Sequence, residues 1–264
     1  MKVPVEEIAA LERANYEANW AIAQITPGLD IWLKDDVILT SSVSFPSPDT
    51  NHACLVQATA ETIDSLILEI IAYFTAKELA PVIFVSPACT PADLPQRLAD
   101  HGFESGDKEA WMTVDNLAKR DIPSLKTKVL VSQITRAEVM TFATTFMTGF
   151  EMPLDLTATM ANLIEPSLNL PGVYHYLAYI DAQPVATFSL ICYKHYGIIG
   201  SASVIPAFRR KKAATSLAIE AIKTAQQQGV DTLLLQTTAG FLLERLLGIY
   251  GFKKVFTRVA YTLS

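Results

Sequence analysis

Hydrophobic positions along this chain alternate between runs with a period near 3.6 and runs with a period near 2, the pattern of an α/β protein. Val5, Ile8, Leu11, Tyr16, Trp20 and Ala23 predict an amphipathic helix over 4–25. Strand-like pieces follow at 29–33 and 36–43, then a Pro/Ser loop, SFPSPDTN. Ile63, Leu66, Ile67, Ile70, Ile71 and Phe74 stripe one face of a helix at about 60–78. A buried strand is expected at 81–86, a short helix after Pro91, a turn at His101-Gly102-Phe103 and a strand near 109–115. Residues 116–126, with Lys119-Arg120-Asp121 and then Pro123, read as a linker. Beyond it come a strand at 127–132, helices at 135–149 and 154–165, and antiparallel strands at 173–180, 184–193 and 196–204. Asp181-Ala182-Gln183-Pro184 supplies hairpin chemistry between the first two of these. Ala214, Leu217, Ala218, Ala221, Ile222 and Ala225 mark a helix that ends at Gly229. A strand at 232–237, a helix at 240–249, Gly251-Phe252 and a strand to Tyr261 complete the series.

The two halves echo each other. The stripe from Ile63 to Phe74 maps onto Ala214 to Ala225 at an offset of 151, and Gly102-Phe103 onto Gly251-Phe252 at an offset of 149. Helix, strand, short helix, Gly-Phe and strand thus occur twice, which predicts a duplicated α/β domain.

Composition narrows the function classes. Of 264 residues, 50% are hydrophobic and 18% charged, enough apolar surface for a large core and against intrinsic disorder. The formal charge of −6 argues against general nucleic-acid binding, which needs a basic face. The three cysteines (Cys54, Cys89 and Cys192) lie far apart with no metal-ligand spacing, so reduced thiols are expected and no metal site. Acids in MKVPVEEIAALER oppose a secretion signal, and Asp64, Glu69 and Lys77 break the longest apolar stretch. A cytoplasmic protein without membrane contact is expected.

The most informative segment is VIPAFRRKKAAT, residues 204–215. A strand ends, a proline turns the chain, and Arg209, Arg210, Lys211 and Lys212 lead into a helix. Cations at a helix N-terminus oppose its dipole, whereas an anion there meets both the dipole and the unsatisfied N–H groups. A phosphate or pyrophosphate is the natural ligand.

This segment, followed by GVDTLLLQTT and Tyr250-Gly251-Phe252, resembles the GNAT superfamily of acyl-CoA-dependent N-acetyltransferases. Val204, Pro206, Arg209 and Ala214 match its V-x-P-x-x-R-x-x-G-x-G/A signature, with Lys212 standing at the first glycine. The resemblance implies two GNAT-like domains, each a twisted mixed β-sheet flanked by helices. Residues 1–120 would be a degenerate GNAT-like half and 127–264 the catalytic, acetyl-CoA-binding half. It further implies transfer of acetyl from acetyl-CoA to a small-molecule or peptide amine, in a chain that can form a homodimer. The alternative is a non-catalytic GNAT-like acyl-CoA-binding module.

On that resemblance, the backbone of Ser203, Val204 and Ile205 would pair with the pantetheine arm. The N–H groups from Arg209 through Arg210, Lys211, Lys212, Ala213 and Ala214 to Thr215 would wrap the pyrophosphate, with the cationic side chains adding contacts. A positive φ at Lys212 would cost about 1 kcal/mol or more. The equivalent N-terminal loop, 58–64, has no cation and two carboxylates, so it is expected not to bind the cofactor. The family's acidic tyrosine, in Y-x-x-x-G-F, falls on Leu247; Glu244 occupies it if Gly248-Ile249 is the equivalent, and Tyr250 lies nearby. Glu151 is the candidate base through a water, with Glu244, Tyr250 or solvent as the acid. Asp155, His175, His195, Ser201 and the strand tyrosines are weaker candidates, each with an ordinary structural explanation.

Overall fold

The computed structural model describes residues 3–45, 47–122 and 124–263. Pro46 of the expected Pro/Ser loop and Pro123 of the expected linker lie outside them. The chain forms two compact units, one of Met1–Thr113 with Gln236–Ser264, the other of Val114–Leu235.

In chain order the first unit begins with helix α1 (Val5–Ala23) and strands β1 (Leu29–Leu33), β2 (Ile38–Ser42) and β3 (His52–Cys54). Helix α2 (Ile63–Thr75), β4 (Val82–Val85), α3 (Leu94–Asp100) and β5 (Glu104–Val114) follow. Ile63, Ile67, Ile70 and Phe74 of α2 close over Ala53, Ile83, Leu94 and Leu98, so the expected stripe is the face that makes this core.

The second unit holds β6 (Leu130–Gln133), α4 (Val139–Gly149), α5 (Thr157–Ile164), β7 (Val173–Ile180), β8 (Gln183–Tyr193), β9 (Tyr196–Val204), α6 (Ala213–Gln227) and the start of β10 (Thr232–Thr238). Strands β6 to β9 form an antiparallel meander, and β10 joins β9 in parallel. Asp181 and Ala182 both take positive φ, 49° and 62°, as a two-residue hairpin loop requires. Glu138 accepts the Thr135 N–H at 2.9 Å, a capping box that starts the helical segment leading into α4.

The chain then returns to the first unit as α7 (Leu242–Ile249) and β11 (Lys253–Thr262). Strand β11 lies antiparallel between β4 and β5, giving the order β1-β2-β3-β4-β11-β5 there. The expected catalytic span, 127–264, therefore differs from the compact unit. Its last segment, 236–264, completes the sheet of the first unit. Arg258 anchors it: the guanidinium lies 4.0 Å from the Phe84 ring and 4.9 Å from the Trp111 ring, and donates to Glu109 and to Tyr16 Oη.

The repeat read from sequence is visible in the helix ends. Gly102 and Gly251 both have φ 87°, and the next N–H, of Phe103 or Phe252, returns to Leu98 O or Leu247 O. Helix α2 closes on Glu78 (φ 58°) and α6 on Gly229 (φ 72°), with Leu79 N and Val230 N returning to Phe74 O and Ala225 O. These are paired Schellman-type caps, 149 and 151 residues apart.

Candidate functional site

The site is built on the edge of β9. Its pairing with β10 runs from Tyr196↔Thr232 to Ile198↔Leu234 and stops there. From Ile199 to Val204, within its unit, β9 is paired only to β8 among the described residues. A bulge interrupts that pairing: Thr187 faces Ser203 and Ser189 faces Gly200, so Ser201 and Ala202 oppose the single residue Phe188. Ser201 takes φ 48°, and Thr187 Oγ1 donates to Ser201 O at 2.7 Å and lies 2.9 Å from Ser203 Oγ. The bulge aims a backbone edge of donors and acceptors away from β8. Thr187, which no sequence signal marked, fixes it.

After β9 the chain turns through Pro206–Phe208 into α6. Lys212 is the residue before the helix, at φ 69° and ψ 5°, and no side chain caps α6. The family glycine position thus has the left-handed backbone that glycine suits, held here by a lysine. Its Nζ donates to Lys126 O at 3.0 Å. Arg210 also takes positive φ, 65°, and its side chain is exposed with no partner among the described residues. The N–H groups of Ala213 and Ala214 belong to the first turn, where a helix offers no internal acceptor. Ser216 Oγ, one turn in, is buried without a hydrogen-bond partner.

Not all of the expected anion contacts are available. The Arg209 and Lys211 N–H groups close the turn onto Pro206 O and Phe208 O, and Ile205 is committed on both sides, to Val185 O and the Phe208 N–H. Ser203 and Val204 remain as the strand positions for an extended arm. The Lys211 ammonium lies over the Phe208 ring at 4.6 Å. Arg209 turns toward the end of α4: Nη2 donates to Gly149 O at 3.1 Å and to Glu151 Oε2 at 3.4 Å, and Nε to Val204 O at 3.4 Å. Two residues expected in separate roles, Arg209 for the cofactor and Glu151 for the amine proton, are therefore an ion pair.

Gly149, another residue without a sequence signal, is why these elements approach so closely. A Cβ there would lie 2.5 Å from Ser203 Oγ. Tyr250 and Glu244 belong to the first unit. Glu244 accepts the Gly240 N–H at 2.6 Å and pairs with Lys254 at 2.9 Å; the amide and the ammonium hold its carboxyl below the ordinary range. It stays ionised and has no proton to donate. Leu247, at the family's tyrosine position, is half-buried in α7.

His175, Tyr176 and Cys192 have structural surroundings. His175 is buried between Ser167 Oγ (2.8 Å) and Ser189 Oγ (2.7 Å), and burial lowers its pKa to about 4. Tyr176 stacks on Tyr174 of its own strand and on Phe188, its cross-strand partner, and its hydroxyl lies 2.8 Å from Thr224 Oγ1 of α6. Burial raises the Cys192 thiol to about 11, away from nucleophilic use. Among the described residues no group of three His, Cys, Asp or Glu is placed to hold a metal, and no helix is long and apolar enough to cross a membrane.

The corresponding place in the first unit is closed. Beyond Cys54↔Phe84, the segments that follow β3 and β4 stay laced together: Thr90 N donates to Val56 O at 2.9 Å, Ala58 N to Thr90 O at 3.3 Å, and Gln57 bridges Thr90. The turn before α2 bonds within itself, with Thr59 N on Thr62 Oγ1 and Glu61 N on Thr59 Oγ1, and α2, like α6, has no side-chain cap. Asp64 is taken by Arg97 (2.7 Å) and His101 (3.1 Å).

The GNAT acetyltransferase family model matches residues 141–248. No curated protein matches the chain by sequence. A GCN5-related N-acetyltransferase from Kribbella flavida is similar in structure, with TM-score 0.65 and 15% identity over 94% of this chain and 95% of that one. A tandem GNAT protein from the clavulanic acid biosynthesis pathway gives TM-score 0.65 and 13% identity over 94% and 86%. A GCN5-related N-acetyltransferase from Sphaerobacter thermophilus gives TM-score 0.62 and 15% identity over 99% and 94%. At these identities the likeness is one of fold, and it extends over nearly the whole chain.

Proposed function

We propose, from the premise that this chain has the GNAT fold and that residues 141–248 are a GNAT acetyltransferase domain, that it transfers an acetyl group from acetyl-CoA to a primary amine in the cytoplasm. The observation that carries the reading is the contrast between two related strand–helix units in one chain. One leaves its strand edge unpaired within its unit beside four cations at the helix start; the other is laced shut and has no cation there.

In this reading the pantetheine arm lies along Ser203 and Val204. The diphosphate meets the Ala213, Ala214 and Thr215 turn, with Arg210, Lys211 and Lys212 contributing charge. The amine nitrogen attacks the thioester carbonyl carbon, so a C–N bond forms and the C–S bond breaks. The proton lost by the amine passes through a water to Glu151, and the thiolate takes a proton from water. Acyl transfer of this kind needs no metal. The degenerate half carries no donor. A second copy of the chain and a peptide or small-molecule amine are the proposed partners.

A non-catalytic acyl-CoA-binding module is favoured by one feature, the aliphatic Leu247 at the family's tyrosine position. Calorimetric titration with acetyl-CoA, CoA and 3′-dephospho-CoA, beside an amine screen for CoA thiol release, separates the two. The transferase reading expects one donor per chain and release with some amine; one donor and no release across the screen leaves the binding module. Two donors per chain would contradict a closed first unit, and no binding would remove both readings.

A further inference from the structure

We propose that Glu151 serves as an internal stand-in for the donor's phosphate. Its carboxylate holds Arg209 in the free protein, and donor binding transfers Arg209 to the diphosphate and releases Glu151 for the acceptor. The inference rests on the acetyl-CoA reading and adds to it a competitor for Arg209 within the chain itself.

Of the three acceptors on the Arg209 guanidinium, two are carbonyl oxygens of the packed framework, Gly149 O and Val204 O. The third, Glu151 Oε2, is the only anion among them, lies at 3.4 Å, and belongs to a side chain 68% exposed. That is a long, solvent-screened contact. A phosphate offers the same guanidinium shorter, charge-assisted and bidentate bonds. Arg209 stands at the entrance to the turn that leads into α6, so the exchange needs only a side-chain movement there. Gly149 is held against Ser203 and cannot follow. The backbone of Glu151 is held as well, as the left-handed residue of the α4 cap (φ 57°), with Glu151 N on Thr148 O and Met152 N on Met147 O, so only the exposed side chain has to leave Arg209. While Glu151 is bound to Arg209 its carboxylate is engaged; once released, it can accept the amine proton.

The test is a thermodynamic cycle read by calorimetry with CoA as the probe, so no turnover is required. Glu151→Gln should tighten CoA binding by about twofold to fivefold, the size of an exposed ion pair that no longer competes. Arg209→Gln should weaken binding, and adding Glu151→Gln to it should then change CoA affinity no further. Asp155→Asn removes a carboxylate from the same loop without touching Arg209, and its effect should stay below about twofold. Two outcomes overturn the hand-over alone: wild type binds CoA and Glu151→Gln binds no more tightly, or the gain persists in the Arg209→Gln background as plain repulsion would. If neither wild type nor Glu151→Gln binds CoA, the donor reading falls and the hand-over falls with it.

Discussion

Gly149, the last residue of α4, lies against Ser203 of β9 so closely that a Cβ on it would fall 2.7 Å from Ser203 Cβ and 3.2 Å from Val204 N. Both neighbours belong to the strand edge proposed for the donor. Gly149→Ala must therefore move either the helix end or the strand. We expect a loss of about 1–3 kcal/mol in denaturant unfolding, the usual cost of overpacking, together with weaker CoA binding. Ser203→Gly removes the side-chain atoms in the way and should restore most of the stability. If Gly149→Ala unfolds at the wild-type denaturant concentration, the contact is not tight.

Lys212 gives a second prediction. Its φ of 69° carries a steric cost for any residue with a Cβ, and its Nζ bond to Lys126 O offsets part of it. Lys212→Ala loses the bond and keeps the strain, whereas Lys212→Gly loses both. The glycine variant should be the more stable of the two by about 1 kcal/mol, with Tm of the two proteins as the readout. Equal Tm values would mean that the loop relaxes out of the left-handed region when the lysine is gone.

Much of this fold is legible because its signals are local. Strands 173–180 and 196–204 begin and end where alternation does, and the glycine caps at Gly229 and Gly251 are visible as residues. Glu78 performs the same capping task and is invisible, because nothing in a glutamate announces φ 58°. Strand β3 is three buried residues, too short for any period. The path of β11 depends on Arg258 meeting Glu109, 149 residues earlier. The cationic turn was legible as a charge concentration, but its internal engagements were not. Lys126 and Glu151, which hold Lys212 and Arg209, are brought there by the fold from 86 and 58 residues away. Gly149 and Thr187 matter only through those same long-range approaches.

His175 sets a pH dependence. Burial lowers its pKa from 6.5 to about 4, so the folded state prefers the neutral ring between two serine hydroxyls. A depressed pKa contributes stability that is complete above the unfolded value and is lost as pH falls through the folded one. The window is pH 6.5 to 4, and the loss by pH 4 is about 3 kcal/mol. His175→Gln has no titrating ring and should show a shallower fall in unfolding free energy across that window. Parallel slopes for the two proteins would show that other groups carry the acid sensitivity.

Arg258 makes the largest stability prediction. Its side chain is 5% exposed and pairs with Glu109 and, at 3.6 Å, with Glu12, a carboxylate that is itself fully buried. Burial raises the Glu12 pKa, while Arg258 and the Ser86 hydroxyl act to lower it. Removing the guanidinium leaves two acids and the Tyr16 hydroxyl facing one another without their common donor. Arg258→Met keeps the aliphatic volume between Phe84 and Trp111 but removes the charge, and should cost about 3–5 kcal/mol, as unpairing a buried ion does. Because β11 lies between β4 and β5, amide exchange should accelerate along all three strands of that unit, not at β11 alone. Adding Glu12→Gln to Arg258→Met should recover part of the loss by removing the stranded charge. A cost near zero for Arg258→Met would mean that ring packing, rather than the ion network, holds the C-terminal strand in place.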